Sequence, residues 1–254
     1  MKKILALYIT AFLIALSPLS RAEINKTIHI VSQGWENYAD ADCKGYMWEL
    51  VQSVFETHGY KIKCTIMPYK RGVEMVKQNR ADAWIASYKD EQKFALYPQW
   101  PHDFESTGVA ATKELMKSWT PDQGLSGKRV AYVRGYELDN YIDDDFKRIE
   151  VNNLKQAMDM VIAGRSDFVA DDSDDMKSFL QSNPRYQDAL EVRPLFRLAL
   201  YLAFADGVRS RELIKIWDTE FPKLLDKGVI KSIYSRANKG KNYKLFWEND
   251  ANEK

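Results

Sequence analysis

The chain has 254 residues, of which 45% are hydrophobic and 13% aromatic, and this composition is ample for a packed core. Its 37 lysine and arginine residues against 36 aspartate and glutamate residues give a net charge of +1. No basic stripe is visible, so no nucleic-acid partner is expected. The length suits one large domain or two lobes of about 100 residues each.

The first 22 residues have the organisation of a secretory signal peptide. A positively charged start precedes an apolar run of about 13 residues, Ile4 to Leu16, and small residues at Ser20 and Ala22 favour cleavage. The run is shorter than the roughly 20 residues that cross a bilayer, although an uncleaved membrane anchor is the alternative. We expect a mature chain that begins at Glu23 in the periplasm, or outside the cell, and does not span the membrane. Its charge is about −2, because the leader removes three cations and no acids.

Strands and helices alternate through the segment that follows. Strands are predicted at residues 27–31, 61–67 and 83–87, where β-branched or alternating apolar residues occur. Apolar residues at helical spacing predict helices at 45–58 and 71–79. A strand–helix order of this kind predicts parallel strands joined by crossover helices.

The two cysteines, Cys43 and Cys64, lie in this first segment. In an oxidising compartment a lone pair is more typical of a disulfide than of a metal site or a nucleophile, and two separate buried thiols are the alternative. The three histidines, His29, His58 and His102, are far apart and lack ligand spacing. We therefore expect neither a metal nor another cofactor.

The same order of elements repeats in the second half of the chain. The predicted strands are 125–133, 168–170 and 198–205, and the predicted helices are 153–164, 209–227 and 229–237. Residues 238–254 are polar, and we expect them to be loosely held. Two similar α/β halves predict two lobes with a ligand between them, at the carboxyl ends of the strands.

Four segments resemble the periplasmic solute-binding proteins of the polar amino-acid type, bacterial extracellular solute-binding protein family 3. They are 45–51 (Gly-Tyr-Met-Trp-Glu-Leu-Val), 79–86 (Asn-Arg-Ala-Asp-Ala-Trp-Ile-Ala), 125–135 (Leu-Ser-Gly-Lys-Arg-Val-Ala-Tyr-Val-Arg-Gly) and 224–234 (Leu-Leu-Asp-Lys-Gly-Val-Ile-Lys-Ser-Ile-Tyr). The resemblance extends over nearly all of residues 25–237, and it depends on the order and spacing of these segments together with the leader.

This resemblance implies an α/β fold of the two-lobed periplasmic-binding-protein type (type II, Venus flytrap), with two parallel-type sheets and a two-strand hinge. Lobe 1 would comprise residues 23–111 and 201–254, and lobe 2 residues 112–200. The hinge strands would cross near 109–111 and 201–203 and let a monomer close on its ligand.

The resemblance also implies a set of ligand-binding side chains. Aromatic residues would follow the first strands, at Trp35, Tyr38, Tyr69 and Tyr88, where they would bind apolar faces or a cation. Asp172 would pair with the amino group of the ligand. The alternatives are ordinary core or surface packing for the rings and a solvated acidic turn for Asp172.

Two departures from the family pattern bear on the charge of the ligand. The family places an arginine after the third strand to grip a carboxylate, whereas Gln92 stands there in this chain. Lys89 or Lys93 would restore the charge without the fork geometry. We therefore expect an amino acid or similar zwitterion, with a cationic amine as the alternative.

The second departure follows the first strand of lobe 2. Relatives offer backbone amides to the carboxylate there. This chain has Arg134, Gly135 and Tyr136 followed by Glu137, which could repel an anion. Arg71 or Arg134 could instead reach the cleft and restore an anion site.

Three functions fit these residues. The first is capture of a small polar solute for an inner-membrane ABC permease, without chemistry. The second is sensing of the same solute, through a membrane receptor or alone. The third is a dehydratase-like enzyme, in which Glu137 or Asp171 would be the general acid. We predict binding and assign no catalytic residue.

Overall fold

The computed structural model describes residues 26–248. The predicted signal peptide, residues 1–22, lies outside that range, as do residues 249–254. Within the described part of the chain no helix has the length and apolar character needed to cross a membrane.

Strands within residues 26–248 form one eight-stranded sheet in the order β2-β1-β3-β8-β4-β7-β5-β6. The strands are β1 Thr27–Ser32, β2 Lys61–Ile66, β3 Ala83–Tyr88, β4 Asp103–Thr112, β5 Arg129–Val133, β6 Lys147–Val151, β7 Phe168–Asp172 and β8 Leu190–Phe204. The helices are α1 Tyr46–Phe55, α2 Tyr69–Lys77, α3 Lys113–Ser118, α4 Leu154–Ile162, α5 Ser173–Ser182, α6 Pro184–Ala189, α7 Val208–Asp226, α8 Val229–Arg236 and α9 Gly240–Tyr243.

The sheet consists of two parallel parts joined by an antiparallel pair. In the first half-sheet, β1 pairs in parallel with β2 and β3. In the second half-sheet, β5 pairs in parallel with β6 and β7. The long strands β4 and β8, the linking pair, run antiparallel to each other, and each also pairs with one half-sheet. The predicted arrangement of two parallel-type sheets and a two-strand hinge is confirmed, and backbone hydrogen bonds make it continuous.

The register of the linking pair shows where the chain passes between the halves. Residues 103–106 of β4 lie opposite 197–200 of β8. In each strand this stretch precedes the pairing with a half-sheet, which begins at Thr107 for β4 with β7 and at Leu200 for β8 with β3. The segments expected to cross do not pair, since residues 109–111 lie opposite 191–193. The exact division into lobes stays a prediction.

Each half-sheet has its own apolar core. Trp48 of α1 packs with Trp217 and Phe221 of α7 in the first half, and all three are fully buried. Met158 of α4 and Met176 of α5 fill the second half. A third cluster runs between the halves and includes rings that line the cleft described below.

The two cysteines form the predicted disulfide. Cys43 and Cys64 are joined, with their Cα atoms 5.9 Å apart. The bond fastens the loop before α1 to the edge strand β2. That loop carries part of the aromatic wall of the cleft, so the disulfide bears on the site as well as on stability.

The expectation of a loosely held C-terminus is wrong for residues 240–248. This segment forms α9 and a π-helical turn, Lys244–Glu248, in which Tyr243 and Phe246 are buried. Phe246 stacks on Phe104 of β4 with 5.0 Å between ring centroids. Aromatic residues three or four positions apart give this polar segment an apolar face that composition alone conceals.

Candidate functional site

A cleft with roughly 790 Å³ of empty space, including its open mouth, is lined by residues from both halves of the sheet. Its walls combine aromatic rings with carboxylates. The rings belong to Trp35, Tyr38, Tyr46, Tyr69, Tyr88 and Tyr136. The carboxylates belong to Glu36, Glu91, Asp103, Glu105, Asp171, Asp172, Asp174 and Asp175. Among the described residues that line the cleft, Lys239 supplies the positive charge.

The first aromatic wall is fixed by a turn that requires glycine. Gly45 precedes α1 with φ of 97°, and a Cβ there would lie 2.5 Å from the carbonyl oxygen of Tyr38. This close approach lets the ring of Tyr38 meet those of Trp35 and Tyr46 edge-on, at centroid distances of 5.8 and 5.0 Å. Each pair has the favoured edge-to-face geometry, so the wall is rigid.

A buried histidine orients Tyr38 from behind. The backbone N–H of Ala86 donates to Nε2 of His102, which leaves Nδ1 as the protonated nitrogen, 3.3 Å from the Tyr38 hydroxyl. Complete burial lowers the pKa of His102 to about 3, so the ring is neutral and keeps this tautomer. The Tyr38 hydroxyl therefore accepts from His102 and keeps its own proton for a further contact.

Rings from the two halves meet across the cleft. Tyr69, at the start of α2, contacts Tyr136, which follows β5, with 5.2 Å between centroids. Gln33 also donates to the Tyr136 hydroxyl at 3.3 Å. Behind them, a Cβ at Gly135 would lie 3.0 Å from Cβ of Lys70, so glycine permits this approach of the halves.

Glu91 is a carboxylate held by one oxygen only. Its Oε2 accepts hydrogen bonds of 2.6 Å from the hydroxyls of Tyr69 and Ser87. Its Oε1 is buried and has no hydrogen-bond partner among residues 26–248. Burial raises the pKa of Glu91 to about 8, against the opposing effect of the two hydroxyls.

Glu105 and Asp172 form a second acidic position. Glu105 accepts from the hydroxyl of Tyr88 at 2.6 Å and from that of Thr107 at 2.9 Å, both through Oε1. Asp172 ends β7 opposite Thr107 and caps α5, where its Oδ1 accepts from the backbone N–H groups of Asp174 and Asp175. Burial raises the pKa of both carboxyls, and the charge of Asp172 adds to the rise at Glu105 while that of Asp174 adds to the rise at Asp172.

Further carboxyls complete the acidic wall. Asp103 accepts from the hydroxyls of Tyr46 at 2.7 Å and Tyr234 at 2.6 Å, and burial raises its pKa to about 6. Burial also raises the pKa of Asp175 to about 6 and that of Asp171 well above its usual range. Like charges in so small a space favour either protonation or a bound cation.

The structure brings together six of the side chains singled out in the sequence. They are Trp35, Tyr38, Tyr69, Tyr88, Tyr136 and Asp172. Asp172 is thus neither a solvated turn residue nor only a helix cap, because it lines the cleft and caps α5 at once.

Three other residues singled out in the sequence are not among those that line the cleft. Gln92 is partly buried, and its backbone N–H donates to the hydroxyl of Tyr97 at 3.0 Å. Arg134 is half-exposed and pairs with Glu150 at 3.3 Å. Gly135 serves the contact with α2 described above.

Several lining residues escaped the sequence reasoning. Glu91 directly precedes Gln92, the position on which the family pattern focuses attention. Asp103 and Glu105 occupy alternate positions of β4 with Thr107, so the period-2 pattern of the strand would have placed all three on one face. Tyr46 belongs to the segment 45–51 that carries the family resemblance, and it was given no role there, although its hydroxyl reaches Asp103.

Other candidates lie apart from these groups. Glu137, considered as a general acid, pairs with Arg148 at 3.3 Å and is not among the lining residues. Within residues 26–248 no cluster of three histidine, cysteine or acidic side chains is arranged to hold a metal ion.

No protein-family model matches the chain, and no curated protein sequence matches it. Its fold nevertheless matches many solved structures. An ancestral arginine-binding protein bound to arginine superposes with a TM-score of 0.67 at 15% identity, over 83% of this chain and 97% of that one. A putative ABC-transporter binding component from Wolinella succinogenes, complexed with lysine, gives 0.66 at 14% identity, over 84% and 96%.

A third structure is an ancestral amino acid-binding protein described as a precursor of cyclohexadienyl dehydratase. It gives a TM-score of 0.62 at 14% identity, over 83% of this chain and 95% of that one. The chain therefore has the two-lobed fold of the periplasmic binding proteins, and the resemblance found in the sequence is confirmed for the fold. At these identities the likeness extends to the fold alone.

Proposed function

We propose that the protein binds a small polar solute with an amino group in the cleft between its halves, and delivers it to an inner-membrane ABC permease. The observation that carries this proposal is the pairing of aromatic faces with buried carboxylates, above all Asp172, whose Oδ1 is held by two backbone N–H groups. Rings and carboxylates together are suited to an ammonium group and the apolar chain attached to it.

The likeness to solved structures supports the proposal without deciding the ligand. Two of the structures that share the fold hold lysine and arginine, both of which carry ammonium groups or their equivalent. Binding proteins of this fold act outside the inner membrane, which agrees with the predicted leader and with the disulfide. We therefore infer a periplasmic monomer with the leader removed.

Contacts across the cleft suggest how the solute enters. The Tyr141 hydroxyl donates to the carbonyl oxygen of Lys89 at 2.8 Å, and Tyr69 contacts Tyr136. Both contacts join the two halves and must break for a solute to enter. We infer that binding alternates between an open form and this closed one, with the linking pair as the hinge.

A thermal-shift screen of the mature protein against amino acids, amines, peptides and organic acids tests the proposal. A ligand at 100 times its dissociation constant adds about 2.7 kcal/mol of stability, which shifts the melting temperature measurably. Asp172→Asn is the matched variant, because asparagine caps a helix as well as aspartate does and removes only the charge. Amino-bearing solutes should stabilise the wild type and lose most of their effect on the variant. Stabilisation by neutral sugars or organic acids alone would refute the proposal.

Transport and sensing share this binding step, and a measurement of solute uptake distinguishes between the two roles. Deleting the gene should abolish uptake of the labelled solute if the protein serves a permease. Unchanged uptake together with a lost transcriptional or chemotactic response would indicate a sensor instead.

A dehydratase-like activity is the second candidate. The raised pKa of Asp171, which burial causes, would keep this carboxyl protonated as a general acid in the cleft. One structure with the same fold is described as a dehydratase precursor. Turnover of small hydroxy- or cyclohexadienyl carboxylates by the purified protein would establish this activity, and the absence of product over hours at high enzyme concentration would remove it.

A further inference from the structure

The charge of the cleft is strongly one-sided. Eight carboxylates line it, and Lys239 is the cation among the described lining residues. The charge of Lys239 is already engaged, because it opposes the rise that burial causes in the pKa values of Asp103, Asp172 and Asp175. Most of the negative charge therefore has no counterpart in the described chain.

Glu91 is the carboxylate whose position most needs a ligand. Its side chain is only 5% exposed, it lines the cleft, and its Oε1 has no partner among the described residues. Leaving a buried polar oxygen unpaired costs more than a typical hydrogen bond contributes, and the cost is larger still when the group is charged. Two hydroxyls hold Oε2, so the group is fixed in place and Oε1 is the oxygen that stays unpaired among the described residues.

Glu91 and the Glu105–Asp172 position are built separately. The hydroxyls of Tyr69 and Ser87 hold Glu91, whereas those of Tyr88 and Thr107 hold Glu105. Among the described residues the two positions share no hydrogen-bond donor. One ammonium group bound at Glu91 would leave the carboxylates of Glu105 and Asp172 without a cation.

Among the described residues that line the cleft, no arginine offers a receptor for an anion. The arginine expected by analogy is Gln92, which does not line the cleft, and Arg134 is paired with Glu150 outside it. Arg71 is exposed and is not a lining residue either. A ligand carboxylate would meet acids on most sides.

We infer that the ligand is an organic dication without a carboxylate, in which Glu91 binds one ammonium or guanidinium group and Glu105 with Asp172 binds the other. The inference rests on the proposed function and narrows it to one class of solute. An apolar chain between the two charges would lie against the rings of the cleft, whose faces attract cations as well as methylene groups.

Calorimetry on the mature protein tests the inference with compounds of matched length. The probes are 1,3- to 1,6-diaminoalkanes, pentylamine, lysine and 6-aminohexanoate. Lysine is 1,5-diaminopentane with a carboxylate added, and pentylamine is the same chain with one charge. We expect one diamine to bind at least tenfold more tightly than pentylamine and lysine.

Glu91→Gln tests the assignment of the second charge. It should weaken binding of that diamine at least tenfold and of pentylamine less than threefold. Glu74→Gln removes an exposed carboxylate of α2 outside the cleft and should leave both affinities unchanged. A second measurement uses the wild type alone: at pH 7, diamine binding should release protons, seen as a heat that depends on the ionisation enthalpy of the buffer.

The outcomes separate this inference from the proposed function. If lysine or 6-aminohexanoate binds and the diamines do not, the dication is wrong and amino-solute binding stands. If a diamine binds but Glu91→Gln weakens both amines equally, the second ammonium position is wrong. If none of these compounds and no amino acid binds, both proposals fail.

Discussion

Replacing Glu91 by glutamine should stabilise the protein at alkaline pH. Burial raises the pKa of Glu91 from 4.5 to about 8, so the folded protein holds a proton that the unfolded chain releases. Stability is therefore unaffected below the unfolded pKa and falls as the pH rises from about 4.5 towards about 8. Raising a pKa by one pH unit corresponds to about 1.4 kcal/mol, which gives a loss on the order of 4 kcal/mol between pH 5 and pH 8.

Glutamine removes this loss and keeps the hydrogen bonds. Its amide oxygen can still accept from Tyr69 and Ser87, whose hydroxyls hold Oε2 of the glutamate. Wild type and variant should have similar free energies of unfolding at pH 5. At pH 8 the variant should be the more stable, by about 3–4 kcal/mol.

Urea unfolding at fixed temperature across pH 5–8 measures this difference. The other buried acids, such as Glu105 and Asp171, also lower the free energy of unfolding as the pH rises. They do so in both proteins, so their effect cancels in the difference between variant and wild type. Glu74→Gln controls for the loss of a charge at the surface. Parallel curves for wild type and Glu91→Gln would show that Glu91 titrates normally and that its carboxyl is not desolvated.

Three further predictions concern binding, the disulfide and closure. Asp172→Asn should weaken ligand binding by at least thirtyfold, because truncating one partner of a buried charged pair costs about 2–5 kcal/mol. Gln92→Ala should change the affinity less than threefold. Equal effects of the two substitutions in calorimetry would mean that the charged contact is misplaced. Replacing Cys43 and Cys64 together by serine should lower the free energy of unfolding by about 3 kcal/mol, given their separation of 21 residues, and mass spectrometry of unreduced periplasmic protein should find the bond. Small-angle scattering should record a smaller radius of gyration with ligand than without it, and identical curves would indicate a static scaffold.

Much of the fold could be predicted from local patterns. The strands and helices up to residue 88 follow apolar periodicity and glycine stops, as at Gly59, which ends the first helical segment with φ of 74°. The edge strand β6 and helices α5 and α6 gave no such signal, because exposed and polar residues predominate in them. Strand β8 was predicted only from residue 198 onward, because charged residues and a proline interrupt the apolar residues of its first half, where it pairs with β4.

The sequence could place a side chain in the cleft where its position relative to a strand decides this, and it could not where a tertiary contact decides it. Tyr69 begins the helix after β2 and Asp172 is the last residue of β7, so a family pattern could place them. Glu91 enters the cleft through a turn in which its backbone N–H meets the carbonyl oxygen of Tyr88 at 3.3 Å, and no local pattern gives that direction. The burial that gives Glu91 its chemistry is likewise a property of the whole fold.

In the proposed function, the linking pair would contribute to ligand recognition as well as connect the two halves. Asp103 and Glu105 lie on β4 in the stretch where the chain passes between the halves, and they face carboxylates of β7 and α5. When the halves close without a cation, like charges come together in a medium of low dielectric. Electrostatic repulsion between the carboxylates then opposes closure. A bound cation would attract the carboxylates of both sides and so favour closure at the linking pair. Occupancy would then set the shape of the molecule directly, and a permease that recognises only the closed shape would ignore unloaded copies.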